Sequence, residues 1–329
     1  MNDEDQILDC LIIGSGIAGL TAGRILKEAG FSVILLDKGR GTGGRLATRR
    51  VGEKAQTMGI VDYGAPFFAP RTSRIINMLQ DWEKLHMVKK WPETTVSGEP
   101  QKYIGSRGMR SVAIHLATSL RIIQSEKVIQ MNQDSSWTVT TENGNKYRAS
   151  ILFITAPVPQ SLALLDRNQI FVEETAREQL NRVEYDHCLS LFGLLGSSSQ
   201  RDHPGANLNQ EEPFQWIADH QRRGISALPA YTVHLSHTFS QQHWETPQQE
   251  IISQLSPEIM KKFGAPLKTI HLHRWKFANA KRTYPEAFFL QLKPLPMVLA
   301  GDGFGPGGIE GAVLSGLAAA EALLEKDLP

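Results

Sequence analysis

Hydrophobic and polar positions fall into two textures along this chain. The first forty residues read strand, turn, helix, strand: 7–13 extended, a glycine turn, 18–29 helical and stopped by Gly30, and 32–36 a buried parallel strand. A glycine-rich loop covers 39–45. Residues 71–85 set Ile75, Ile76, Leu79, Trp82 and Leu85 at helical spacing, and 111–120 predicts a second short amphipathic helix. A hairpin pattern follows, 137–141 and 146–154 about the turn Glu142, Asn143, Gly144, Asn145, ending in the apolar strand 151–154 before Ala156 and Pro157.

From Leu162 the texture changes. Strand-like segments at 188–195, 214–218, 231–235 and 271–277 alternate with polar stretches and helices, which predicts a mixed sheet in a second domain. Residues 197–213 lack periodicity and predict an exposed loop. The end returns to the first texture, with a short strand at 297–300, a glycine-rich turn at 301–308 and an Ala-rich helix at 309–324. A discontinuous nucleotide domain is therefore expected from 1–70, 105–160 and 280–329, with 71–104 and 161–279 forming an inserted substrate domain.

Composition narrows the class. The 329 residues suit one or two domains, and 41% hydrophobic with 21% charged residues and no eighteen-residue apolar stretch argue against a membrane protein. Residues 1–6 carry three acids and no Lys or Arg, and the apolar run 11–13 is too short for a secretory signal, so a reducing cytoplasm is expected. Thirty-five Lys plus Arg against thirty-four Asp plus Glu remove any bulk argument for nucleic acid. Cys10 and Cys188 stand far apart without a CxxC, against disulfide scaffolding, a metal site or dithiol chemistry, and both read as buried fillers.

The chemistry starts at GSGIAG. Gly14 permits the tight turn after the strand, Ser15 follows it, Gly16 lets backbone approach a pyrophosphate, Ile17 and Ala18 open the helix, and Gly19 lets helix and strand pack closely. Helix N–H groups and the helix dipole then face the phosphates. Asp37, followed by Lys38, closes the second strand where ribose hydroxyls would be accepted; a solvated strand-end carboxylate is the alternative. NAD alone would also satisfy these features.

Further motifs turn the reading toward FAD. Gly41, Thr42, Gly43, Gly44 and Arg45, then Asp62, Tyr63, Gly64 and Ala65, and the distant Gly301, Asp302 and Gly303 resemble the FAD-binding amine-oxidase superfamily. In finer detail, residues 38–50, 62–65, Ala156 to Gln160, His273 to Ala278 and Gly301 to Phe304 resemble the renalase family. Pro66 and Phe67 depart from it, standing where renalases commonly have Gln and then an aromatic residue.

The resemblance implies an α/β architecture: a Rossmann-like FAD-binding domain of the glutathione-reductase/p-hydroxybenzoate-hydroxylase type, with an inserted mixed-sheet α+β substrate domain covering the isoalloxazine. It implies FAD contacts from Gly14, Ser15, Gly16, Ile17, Ala18, Gly19, Asp37, Lys38, Gly43, Gly44, Arg45, Tyr63, Gly64, Ala65, Val128, Ala156, Gly301, Asp302, Gly308, Ile309 and Glu310. Asp302 would meet the ribityl chain, and Gly308, Ile309 and Glu310 begin a helix aimed at the flavin pyrimidine edge, where an open helix N-terminus stabilises negative charge. Glu310 reads as a capping or solvent-facing residue rather than a reacting one. For Arg45 the readings are a phosphate or flavin contact, or a surface ion pair. Val128, at the end of the strand begun by Arg121, either meets adenine through its backbone or is a core valine.

Two absences narrow the reaction. There is no second GxGxxG, so a substrate would meet the flavin directly, and there is no cysteine near the C-terminal flavin motif, so FAD is expected to be noncovalent. Strand alternation in 271–277 puts His271, His273, Trp275 and Phe277 on one face and Arg274 and Lys276 on the other, which makes either a substrate wall or a core face. By resemblance, Trp275, His234 and Trp216 are the substrate-pocket candidates, a buried structural residue being the alternative for His234 and Trp216; Arg222 and Arg223 meet a phosphate or form a solvated turn.

By resemblance, the expected reaction is hydride transfer from isomeric dihydro-NAD(P) to flavin N5, with O2 as acceptor giving H2O2. Such a donor needs no general base, and no convincing acid/base pair stands in the motifs. The alternatives are an amine oxidase using Lys276, a carotenoid desaturase-like protein needing an apolar membrane-entry surface, and a non-enzymatic FAD-binding protein.

Overall fold

The computed structural model describes residues 6–53, 58–91, 100–202 and 205–326. Its elements begin with β1 (Ile7–Ile13), α1 (Ile17–Glu28), β2 (Val33–Asp37), β3 (Thr48–Val51), β4 (Gly59–Asp62), α2 (Ser73–Lys84), β5 (Val88–Lys90), β6 (Tyr103–Gly105) and α3 (Arg110–Leu116). There follow β7 (Arg121–Gln124), β8 (Val128–Gln133), β9 (Trp137–Thr141), β10 (Lys146–Ile154), α4 (Val158–Arg167), α5 (Glu174–Leu180), β11 (Glu184–Leu195), β12 (Gly205–Glu211), β13 (Phe214–Asp219) and β14 (Ala230–Leu235). The chain closes with α6 (His237–Gln242), α7 (Gln248–Phe263), β15 (Leu267–Arg282), β16 (Phe289–Gln291), β17 (Met297–Leu299) and α8 (Gly308–Leu324). It divides into two compact units, one of Met1–Gly44, Ala113–Tyr185 and Asn279–Pro329, the other of Arg45–Val112 and Asp186–Ala278.

The first unit is built on the sheet β16-β17-β10-β1-β2-β7, with β9 pairing β10 and β8 pairing β9. Strands β17, β10, β1, β2 and β7 run parallel, and Cys10 sits between Ile151 and Val33. Parallel strands covered on both faces need apolar side chains throughout, which is why Cys10, Leu11 and Ile12 are all buried without alternation. Helices α1 and α8 start beyond the carboxyl ends of β1 and β17 and pack together; a Cβ on Gly316 would collide with the Ala18 carbonyl.

The second unit is a five-stranded sheet, β12-β13-β14-β11-β15. One face buries Leu189, Leu191, Ile217, Tyr231 and Val233 against Ile251, Leu255, Ile259 and Phe263 of α7. The other packs Phe192, Leu194 and Ala230 against Val51 and Val61 of the β3–β4 ribbon.

Three expectations are corrected. Residues 197–213 contain β12, paired with β13; as an edge strand it has one neighbour and needs no apolar alternation, which removes the period a sequence reading relies on. Val128 does not end the strand begun by Arg121 but begins β8, because the chain turns at Ser125 (φ 59°), where Ser125 N–H donates to Gly39 O at 2.9 Å and Glu126 N–H to Asp37 O at 2.9 Å. The boundaries also move: 45–70 and 105–112 cluster with the second unit, since β4 packs on its sheet, while 161–185 joins the first, where Leu162, Leu165 and Leu180 enter the core of Leu152 and Ile154. Among the described residues no helix is long and apolar enough to cross a membrane, and no group of three His, Cys, Asp or Glu could hold a metal.

Candidate active site

In the first unit, β1 ends on Gly14, whose φ of +109° makes the turn, with Thr155 Oγ1 directly beneath it. A Cβ on Gly19 would collide with the Gly14 carbonyl, so only glycine lets α1 start this close to β1. Gly16 is the N-cap of α1 and offers no side-chain cap, and a Cβ built on it meets nothing within 4 Å. The first N–H groups of α1 thus point into open space with a partial positive charge. Gly43 N–H donates to Ser15 O at 2.9 Å and bridges the second glycine loop to the first. Asp37 Oδ2 accepts from Ser15 N–H (2.7 Å) and Ser15 Oγ (2.6 Å), and Oδ1 from Gly39 N–H (2.7 Å). A carboxylate carries about four acceptor sites, two on each oxygen, so Oδ1 keeps one more. Lys38 Nζ donates to Gln160 Oε1 at 3.3 Å.

The C-terminal motif repeats this design. Gly301 N–H donates to Ser315 Oγ at 2.9 Å, Asp302 is buried beside the Tyr185 hydroxyl at 3.3 Å, and Gly307 caps α8 without a side-chain bond. No heavy atom lies within 4 Å of a Cβ built on Gly308, so Gly308, Ile309 and Glu310 form a second open helix start. Ala156 offers its carbonyl to Ser161 Oγ at 3.0 Å, and the Val128 side chain is in the core.

In the second unit, the three pocket candidates share one face of the sheet. Ser190, His234 and Trp216 are cross-strand partners on β11, β14 and β13. The Tyr63 carbonyl gathers this face: it accepts from Ser190 Oγ (2.9 Å) and Trp275 Nε1 (2.9 Å), and the His234 ring hydrogen-bonds the same backbone. The Tyr63 ring stacks on Trp275 at 5.5 Å and meets Phe192 at 4.8 Å and His273 at 5.3 Å; His273 lies edge-on to Trp275 at 4.2 Å, and His271 stacks on Phe192 at 5.6 Å. His271, His273, Trp275 and Phe277 are all only partly buried, which leaves an aromatic row accessible in this unit. Trp216 differs: it is buried among Phe67 (5.3 Å) and Trp91 (5.8 Å) and is a packing residue behind His234. Arg45 Nη1 donates to the carbonyls of Phe277 (2.9 Å) and Ala278 (3.4 Å), while Ala65 N–H donates to Arg45 O at 2.8 Å and Gly64 passes too close to that carbonyl for a Cβ.

Beneath the row runs a buried ionic network. Arg223, expected in a solvated turn, is instead wholly buried: Nη2 donates to Pro66 O at 2.6 Å and lies 3.5 Å from Asp62 Oδ2, with Trp91 5.1 Å from the guanidinium. Asp62 Oδ1 accepts from Thr48 Oγ1 (2.5 Å) and Met109 N–H (2.9 Å). The turn expectation fits only Arg222, whose side chain is 42% exposed. Burial raises the Asp62 carboxyl against the opposing pull of Arg223, Thr48 and the Met109 N–H. Burial also drives His234 down to about 4 despite its Tyr63 bond, and His220 well below its ordinary value, with the Arg223 charge adding to both. His271 and His273 are lowered by burial and then by the Arg49 charge. These rings are neutral at pH 7. Cys10 and Cys188 are buried free thiols pushed up by burial, Cys188 to about 12, hence inert.

Comparison with known proteins bears on this geometry. Residues 12–82 match the NAD(P)-binding Rossmann-like domain, and residues 85–324 match the family described as flavin containing amine oxidoreductase. The chain belongs to the flavin containing amine oxidoreductase family. It is a renalase-like member: mouse (Mus musculus) renalase is 24% identical over 338 residues, covering 95% of this chain and 98% of that one. A flavin-containing amine oxidase of Oncorhynchus mykiss is 36% identical over 73 residues, 22% of this chain and 13% of its own. A redesigned putrescine oxidase shares the fold with a TM-score of 0.71 at 13% identity, covering 97% of this chain and 99% of that one. The family makes this an FAD-dependent oxidoreductase. The first unit fits that cofactor on its own geometry, since two uncapped helix starts, at Gly16 and Gly308, open onto space that a side chain would fill.

Several participants escaped the sequence reading. Ser190 and Thr155 carry no motif and are found only through what their hydroxyls touch. Arg49 lay inside a quoted motif with no role attached to it.

Proposed function

We propose that this renalase-like protein oxidises isomeric dihydro-NAD(P), nicotinamides reduced at the wrong ring carbon. The observation that carries the reading is an accessible aromatic row, Tyr63, His273 and Trp275, with, among the described residues, no strong base on its face: burial lowers His273 and takes His234 to about 4, which makes both weaker bases than a free imidazole, and Lys276 projects from the opposite face of β15. An amine must surrender a proton before it can give hydride, whereas a dihydropyridine becomes aromatic on losing hydride and needs no base. Bound FAD supplies the hydride acceptor at N5 and the route by which two electrons reach O2, which takes up two protons to give H2O2.

In this reading α1 and its glycines (Gly14, Ser15, Gly16, Ile17, Ala18, Gly19) hold the pyrophosphate, Asp37 and Lys38 the adenosine ribose side, and Gly43 and Gly44 the approach to it. Val128 and Ala156 line the adenine end and the first unit's strand edge. Asp302 takes the ribityl chain, and Gly308, Ile309 and Glu310 present N–H groups to the pyrimidine edge, where charge accumulates on reduction. Arg45, Tyr63, Gly64 and Ala65 complete the flavin contacts. Trp275 orients the substrate ring, its indole fixed by the Tyr63 carbonyl, and His234 fixes that carbonyl from below. Attachment of FAD is noncovalent, and the enzyme acts in a reducing cytoplasm, in keeping with two buried free thiols. Turnover with 6-dihydro-NAD tests the reading: one NAD+ and one H2O2 are expected per O2 consumed, and turnover with amines in its place would refute it.

A further inference from the structure

The face that carries the aromatic row also carries a cation. In the β3–β4 ribbon Arg49 pairs with Val61 and Val51 with Gly59, so Arg49, Val51 and Val61 share a face, and alternation puts Tyr63 on it too. Val51, Val61 and Tyr63 pack against Phe192, which stacks on His271. Arg49 is the exposed member at the border of that cluster, and its charge acts on both His271 and His273. Among the described residues it has no carboxylate partner, and the two imidazoles beside it are neutral and able to donate. His273 stands two residues, roughly 7 Å, along β15 from Trp275.

We propose that Arg49 recognises a phosphate on the substrate, so that the second unit reads an anionic group at Arg49 and a flat ring at Tyr63, His273 and Trp275. This rests on the nucleotide reading above and deepens it by naming a residue that favours phosphate-bearing donors. A guanidinium offers a planar fork to phosphate, and histidines held neutral add donors without competing for the same anion. The same charge disfavours a protonated amine.

The test uses the FAD-loaded protein, Arg49→Gln and Arg49→Lys. The binding arm titrates oxidised nicotinamide mononucleotide and, as its phosphate-free counterpart, nicotinamide riboside, by calorimetry at two salt concentrations. Wild type is expected to prefer the mononucleotide, and Arg49→Gln to lose about 10- to 100-fold of that preference together with its salt dependence, with Arg49→Lys between. The kinetic arm compares anaerobic flavin bleaching by the 6-dihydro forms of the same two compounds, where the ratio of their rates should fall by the same factor. Equal preference in wild type and Arg49→Gln overturns the proposal. If neither dihydro compound bleaches the flavin while the binding preference still depends on Arg49, the dihydropyridine reading fails and the phosphate site stands.

Discussion

Asp62→Asn is the sharpest perturbation of the second unit. It keeps shape and volume but removes the charge facing Arg223, and both side chains are fully buried with Oδ2 and Nη2 3.5 Å apart. Arg223 cannot shed its proton, so the variant leaves a buried cation among neutral neighbours, the Pro66 carbonyl, His220 Nδ1 at 3.4 Å and Trp91. Breaking one partner of a buried pair costs about 3–5 kcal/mol. For a domain of this size that lowers the melting temperature by roughly 6–20 °C. Thermal unfolding followed by near-UV circular dichroism, sensitive to Trp91 and Trp275, measures it. Because a neutral pair removes the uncompensated charge, Asp62→Asn combined with Arg223→Met should recover at least half of the loss. A single variant that melts within 1 °C of wild type would show that Asp62 is protonated in the fold and that no ion pair exists there, refuting the reasoning.

Three further outcomes follow from the same geometry. Acid precipitation of the holoprotein should release all of the flavin into the supernatant; flavin absorbance remaining with the pellet would contradict noncovalent attachment. Gly19→Val drives a side chain into the Gly14 carbonyl, costing about 1–3 kcal/mol, and should weaken FAD retention on gel filtration at least tenfold, whereas retention equal to wild type would remove α1 from the cofactor site. His234 is depressed from 6.5 to about 4, so the unfolded chain takes up a proton that the fold refuses; stability present above pH 6.5 is lost as pH falls toward 4, by about 3 kcal/mol in all. His234→Gln should flatten the urea-unfolding pH profile in that window, and an unchanged slope would show that His234 does not cause it.

How much was legible divides along the two units. The first unit's core was readable because its strands are buried on both faces and its helix opens on spaced glycines, so period and turn chemistry agree from Ile7 to Asp37. The same held for β15, where alternation alone turned His273 and Trp275 one way and Lys276 the other. Edge strand β12 and the Asp62–Arg223 pair were not legible, for opposite reasons. An edge strand needs no apolar stripe. A buried arginine looks like a surface arginine until its carboxylate, 161 positions earlier in sequence, folds beside it. Trp216 and His234 were legible as neighbours of the candidate face, yet nothing local distinguished the packed ring from the one that positions a carbonyl.

The central claim is that the donor is a dihydropyridine which gives hydride without help from a base. Anaerobic stopped-flow mixing of the FAD-loaded protein with 2- and 6-dihydro-NAD(P), and separately with primary amines, tests it most directly. The account predicts rapid bleaching of the oxidised flavin band by the dihydropyridines, with a rate independent of pH between 6 and 9, and none by the amines. Bleaching by amines alone, rising with pH as the neutral amine accumulates, would contradict it.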